Sequence, residues 1–233
     1  MPNQRSRQST NVRLAIIAFG LRVAAFVSPA FAARILQRLF RATRRFDAPP
    51  RETDWLEQLE RCSFASGGRE LAAWSTGEGP TVLLAHGWEG RGSQMGAFVR
   101  PLLAAGFRVV TFDAPGHGAS RARTSSLVEM ADAIGDAVDA FGPCHAIVAH
   151  SAGAAAATIA LSKGTACKRL VFIAPPADLG GFLDKISRRL GLPDEVAALT
   201  KRRLEDRFGV AIDETELVTL RTSRDLWHRL GGG

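Results

Sequence analysis

The stretch Ala146-Ile-Val-Ala-His-Ser-Ala-Gly-Ala-Ala-Ala-Ala-Thr-Ile-Ala-Leu161 decides the fold. Its first four residues are an apolar run of the kind used by a strand buried on both faces. From Ala152 onward the small residues read as a helix. Only His150 and Ser151 stand between the two, so the chain must turn sharply from strand to helix at the serine. Such a turn forces the serine into a strained backbone conformation, and the residues two positions away must be small. Ala149 and Gly153 meet that demand. The turn lifts the Ser151 hydroxyl above the strand ends. It also leaves the Ala152 N–H at a helix N-terminus, where it can stabilise an oxyanion.

The flanking sequence alternates strands with helices, the pattern of an α/β fold. Cys62–Ala65 and Glu70–Trp74 read as short strands joined at Gly67-Gly68. Thr81–Ala85 and Arg108–Phe112 are apolar runs suited to buried strands, and Gln94–Ala105 has helical periodicity. Ser126–Phe141 is a helix with Leu127, Met130, Ile134 and Val138 on one face, stopped by Gly142-Pro143. Arg169–Ile173 is a further strand. The loop His86-Gly-Trp-Glu-Gly90 follows strand 81–85 directly and would deliver the Trp88 N–H as a second oxyanion donor. Asp113-Ala-Pro-Gly-His-Gly-Ala-Ser120 follows strand 108–112.

Taken together, the His86-Gly87 loop, the 113–120 stretch and the Ala149–Gly153 turn resemble the α/β-hydrolase family over roughly Ala72 to Asp178. The resemblance implies a mostly parallel sheet flanked by helices. It also implies a serine esterase, lipase or thioesterase that acts on small acyl esters or thioesters. Ser151 would be the nucleophile, Trp88 and Ala152 the oxyanion donors, and His86, Gly87 and Gly153 the residues that shape the site. Epoxide hydrolases and dehalogenases of this fold typically use Asp as nucleophile, so a serine at 151 argues against those activities. The family order is serine, acid, histidine. Asp178 occupies a loop from which some members supply the acid, and His228 is the one histidine after Ser151. Its surroundings, Asp225-Leu-Trp-His-Arg-Leu, carry no buried strand. His117 is expected to be structural, His145 to lie at the surface, and His150 to point away from the serine.

Residues 179–208 read as two amphipathic helices broken at Gly191-Leu-Pro193 and resemble a lid. The tail beyond Phe208-Gly209 shows no clear strand, whereas family members continue for two more strands and helices. The sequence therefore predicts a chain truncated by a premature stop or frameshift, with the tail after about Leu217 out of frame, or else a natural pseudoenzyme. Either way the serine lacks its histidine and turnover is impaired. A non-catalytic binding protein that associates with membranes is the alternative.

Charge locates the remaining feature. The chain has 233 residues and a net charge of +7. Residues 1–46 hold nine arginines and no acid, so this +9 arm leaves −2 for everything after it. Residues 14–33 carry a single charge, Arg22. Three readings stay open for them: a surface-bound leader helix, a membrane anchor, and a signal peptide ending at Ala30-Phe-Ala32. In Arg34-Ile-Leu-Gln-Arg-Leu-Phe-Arg-Ala-Thr-Arg-Arg45 the apolar residues recur at helical spacing, with arginines on the other face. This basic amphipathic helix suits an anionic membrane surface, or it packs on its own domain. Residues 14–46 are thus the candidate membrane contact, and nucleic-acid binding is not indicated.

The expected organisation is an arm over 1–48, a hydrolase core over 49–178 entered through a Pro49-Pro50 linker, and a lid with tail over 179–233. Three scattered cysteines fit a reducing compartment, hence a cytoplasmic protein, peripheral to or anchored in the inner membrane if it is not exported. No metal or organic cofactor is indicated, because no cluster has ligand spacing.

Overall fold

The computed structural model describes residues 4–176 and 178–209. The chain divides into two compact units.

One unit holds helices α1 (Gln4–Val27) and α2 (Pro29–Arg41) together with α7 (Leu179–Arg189) and α8 (Asp194–Phe208). The apolar segment 14–33 is not one helix. It breaks at Ser28, whose Oγ accepts the Phe31 N–H at 3.3 Å, while Pro29 opens α2. Proline is suited to a first helical position, where no N–H is needed, and serine to the cap before it. Leu21, Ala24, Ala25, Ala32, Ala33 and Leu36 bury against Leu190, Leu192 and Val196. The apolar stripe of α2 thus packs against residues of its own chain. Gln37 and Arg203 bond each other reciprocally, side chain to side chain at 3.2 Å and side chain to carbonyl at 3.3 Å. No described helix is long and apolar enough to cross a membrane.

The other unit is a six-stranded sheet with helices. Its strands are β1 (Glu60–Ser66), β2 (Arg69–Thr76), β3 (Thr81–Ala85), β4 (Arg108–Phe112), β5 (Cys144–His150) and β6 (Cys167–Ile173), in the order β1-β2-β4-β3-β5-β6. The β1–β2 and β2–β4 pairings are antiparallel, and the rest are parallel. All five residues of β3 are buried, as expected of a central parallel strand. Leu56 and Leu59, with Met95 and Val99, pack over Trp74, Val82, Leu84, Val109 and Val148. Helix α5 (Leu127–Phe141) starts with a serine N-cap. The Ser126 Oγ accepts the Glu129 N–H at 3.1 Å, and the Glu129 carboxylate returns to that hydroxyl at 3.0 Å.

Three expectations need correction. The basic helix stops at Arg41 rather than running to Arg45. Beyond it Ala42 bridges Thr124, the Thr43 N–H bonds the Arg123 carbonyl, and Arg45 donates to the Ser120 and Ala122 carbonyls at 2.8 and 2.7 Å. Tertiary hydrogen bonds outcompete continued helix here, so Arg45 is committed to its own domain. Pro50 is not linker but the first residue of helix α3 (Pro50–Leu56). The single helix expected over 94–105 is a 3₁₀ turn (Gly92–Phe98) followed by the short α4 (Val99–Ala104). The tail after Gly209, including His228, lies outside the described residues.

Candidate active site

In open α/β sheets, ligands bind beyond the carboxyl ends of the strands, where the strand order reverses. Here β4 lies on one side of β3 and β5 on the other. The loops after β3 and β5 therefore meet at the switch point. Ser151 sits there, between β5 and α6 (Ala152–Ser162), with φ 50° and ψ −120°. A non-glycine residue in this region is strained, and strain of this kind persists only where the surroundings enforce it.

The enforcement is visible. The Ser151 N–H donates to the Ile173 carbonyl at 2.9 Å, and the Ser151 carbonyl accepts from the Ala154 N–H at 2.9 Å. A Cβ on Gly153 would stand 2.5 Å from the His86 carbonyl and 2.8 Å from that of Ala85, so only glycine fits between helix and strand. Gly87 is held as closely: a Cβ there would lie 3.1 Å from both the Ser151 Cβ and the His150 Nδ1. The 86–90 loop therefore runs in van der Waals contact with the serine. The Ala152 and Gly153 N–H groups belong to the first turn of α6, where no intrahelical acceptor exists.

The loop itself is fixed from behind. His86 is 1% exposed. Its Nε2 accepts the Ala114 N–H at 3.0 Å, so the ring proton is on Nδ1, which donates to the Gly87 carbonyl at 2.7 Å. Burial pushes its pKa down to about 4, and the ring is neutral. His117 is fully buried, its ring centroid 5.1 Å from that of His86 and 5.3 Å from Trp88. Its Nδ1 bonds the Pro115 carbonyl at 2.9 Å, while Nε2 has no partner. Burial and the neighbouring His86 push this ring down to about 4 as well.

Two anchors hold these loops together. The buried Asp113 carboxylate accepts the Gly92 N–H at 2.6 Å on one oxygen and the Ala119 N–H at 2.7 Å on the other. It thereby ties the segment after β3 to the loop after β4. Burial raises its pKa, and the two N–H bonds oppose the rise. The second anchor is the 41–52 segment, which straps these same loops. The Arg44 N–H bonds Glu89 at 3.2 Å, and Glu52 pairs with Arg91 at 2.7 Å and accepts from the Ser93 hydroxyl at 2.9 Å. The 113–120 motif pointed to Asp113. No local signal pointed to the strap, which is made by contacts distant in sequence.

The other sequence candidates have these contacts. Asp178 caps α7, accepting the Gly181 N–H at 2.6 Å. His145, near the amino end of β5, contacts Arg169 at 3.1 Å, and is separated from Ser151 by most of the strand, about 20 Å. His150 is half-buried and lies against Gly87. Among the described residues, no three His, Cys, Asp or Glu side chains converge on a metal-sized site.

Solved structures share this architecture. An esterase from Pyrococcus furiosus is similar with a TM-score of 0.55 at 19% identity, over 74% of this chain and 70% of the esterase. An epoxide hydrolase from Vigna radiata is similar with a TM-score of 0.51 at 23% identity, over 58% of this chain. The chain spans about half the length of that epoxide hydrolase, 47%. At these identities the likeness concerns the fold. A comparison with curated protein sequences found no match. The model of the alpha/beta hydrolase family matches residues 82–231, from β3 through the strained serine and onward, and this chain therefore belongs to that family.

Proposed function

We propose that this protein is a serine hydrolase of small carboxylic esters or thioesters. The observation that carries the reading is the strained Ser151, φ 50°, with the Gly87 backbone packed against its Cβ. The Ser151 Oγ bonds the acyl carbon, and the carbonyl oxygen takes up negative charge between the Trp88 and Ala152 N–H groups. Collapse breaks the bond to the leaving alcohol or thiol, which departs with the serine proton. Water then attacks the acyl-serine and releases the acid.

Turnover in this reading needs a base that the described His86, His117 and His145 do not supply. His86 spends both ring nitrogens on backbone groups, His117 is sealed beneath the loop, and His145 is at the far end of β5. Hydrolysis of p-nitrophenyl butyrate and of a thioester analogue tests the proposal. A slow rate abolished by Ser151→Ala supports it, and identical rates in both proteins refute it. Labelling by a fluorophosphonate reads the base separately: labelling is slow if none is in place, whereas rapid labelling means that a histidine already activates Ser151.

A second reading concerns the arm. Phe19, Phe26, Val27 and Phe31 of α1 and α2 are 53–94% exposed, and Arg22, Arg34 and Arg38 are exposed beside them in the sequence. Apolar side chains interleaved with cations suit peripheral attachment to an anionic membrane. Sedimentation with phosphatidylglycerol vesicles but not with phosphatidylcholine vesicles, weakened by Phe26→Glu, is the expected result. Equal partitioning into both vesicle types would rule it out.

A further inference from the structure

We propose that Cys144 and Cys167 form an oxidation site, closing to a disulfide that joins β5 to β6 when the protein meets a hydroperoxide. The pair does not depend on Ser151 or on any hydrolytic activity.

Three observations place the two sulfurs together. Cys144 and Cys167 are the first residues of neighbouring parallel strands and are direct register partners. Adjacent strands are about 4.8 Å apart, inside the range of Cα separations that disulfides span. The side chains of register partners project from the same side of the sheet, and the two thiols are close enough to perturb each other's ionisation. In the reduced protein each thiol also lies against a carbonyl of its own strand, Cys144 on Ala146 at 3.2 Å and Cys167 on Arg169 at 2.9 Å.

The site is sheltered without being sealed. Cys144 and Cys167 are 6% and 8% exposed. β6 is one of the two edge strands among the described residues, and Ala166, Lys168 and Arg169 around Cys167 are exposed, so a small molecule such as hydrogen peroxide has a route to the Cys167 side of the pair. Chemistry favours Cys167 as the first sulfur to react. The neighbouring Cys144 thiol draws its pKa down, while the same contact and burial push Cys144 up. The thiolate is the reactive form.

The steps balance. The Cys167 thiolate attacks one peroxide oxygen, the O–O bond breaks, and a sulfenic acid forms as the other oxygen leaves as water with one proton taken up. The Cys144 sulfur then attacks the Cys167 sulfur, the S–O bond breaks, and a second water leaves with the Cys144 proton. Two thiols have lost two electrons and two protons, and the peroxide has become two waters.

The third cysteine is an internal control. Cys62 lies on β1, at the opposite edge of the sheet with four strands between it and Cys167. It cannot reach either partner within one chain.

The test treats the reduced full-length protein with hydrogen peroxide, blocks the remaining thiols with N-ethylmaleimide, and maps peptides by mass spectrometry. The expected product is one cross-linked pair, Cys144 with Cys167, lighter by two hydrogens than the reduced peptides, with Cys62 still alkylated. Dithiothreitol reverses it. Cys144→Ser abolishes the cross-link and leaves Cys167 as a sulfenic acid, trapped by dimedone. Full alkylation of Cys144 and Cys167 after oxidation, or a cross-link that includes Cys62 in the monomer, overturns the proposal. Thermal melting gives a second readout, because closing this loop of the chain is expected to raise the Tm of the oxidised protein by roughly 5–10 °C.

Discussion

Lowering the pH from 7 to 5 is expected to destabilise the protein through the two histidines beneath the 86–90 loop. Both rings are buried, and both have pKa values near 4 in the fold against 6.5 in an unconstrained chain. Between pH 4 and 6.5 the unfolded chain binds protons that the folded chain excludes. The stability these rings confer is therefore full above pH 6.5 and is lost as the pH falls toward 4. At pH 5 each ring forgoes about 1.5 pH units of proton binding, or about 2 kcal/mol. The rings stand 5.1 Å apart, so a charge on one opposes a charge on the other. Asp113 works in the opposite direction: burial raises its pKa, and a falling pH relieves its charge. Comparing two proteins that both keep Asp113 largely cancels that contribution. His117→Leu is the informative perturbation, since His117 gives up only one hydrogen bond, to the Pro115 carbonyl, and its Nε2 has no partner to lose. Urea unfolding at pH 7 and pH 5 gives the loss for each protein. The variant is expected to lose about 2 kcal/mol less than the native chain over this interval. Equal losses would show that His117 does not titrate out of a neutral, buried state, and the account of the loop's support would fail.

Three further substitutions probe other links. Gly153→Ala places a methyl group against the His86 and Ala85 carbonyls. It is expected to cost about 1–3 kcal/mol in urea unfolding and to slow fluorophosphonate labelling of Ser151. Glu52→Gln removes the charge that faces Arg91 across 2.7 Å while keeping an acceptor for the Ser93 hydroxyl. A loss of about 1–3 kcal/mol in chemical denaturation is expected, together with faster amide exchange at residues 89–93 as the strap loosens. Ser126→Ala deletes the cap of α5 and is expected to lower stability by about 1 kcal/mol, read as a reduced Tm by circular dichroism.

Much of the parallel core was legible because its signals are local. Thr81–Ala85 is a short apolar run, and it is a fully buried strand. Ser126 followed by Glu129 marks the start of α5 in both sequence and structure. The break at Gly191-Leu-Pro193 follows from what glycine and proline do to a helix. The expectation for the arm failed where local and distant forces compete. Arg34 to Arg45 has helical periodicity throughout, yet the helix ends at Arg41 because residues 42–45 find better partners in Thr124, Arg123, Ser120 and Ala122. Helix propensity is worth a few tenths of a kcal/mol per residue, and charge-assisted hydrogen bonds exceed it.

The site divides in the same way. The order of residues around Ser151 was enough to determine a strand, a sharp turn and a helix, since only small neighbours permit that turn. Family membership follows from this motif and its companions. The three-dimensional arrangement decided what holds the turn. Asp113 joins two loops by receiving their N–H groups, His86 bridges Ala114 and Gly87, and the 41–52 strap closes over both. It also decided that Cys144 and Cys167, 23 positions apart in the chain, begin adjacent strands as partners. These contacts link residues that no periodicity or spacing rule relates. They exist because a parallel sheet aligns distant segments in register, and that alignment is a property of the whole fold.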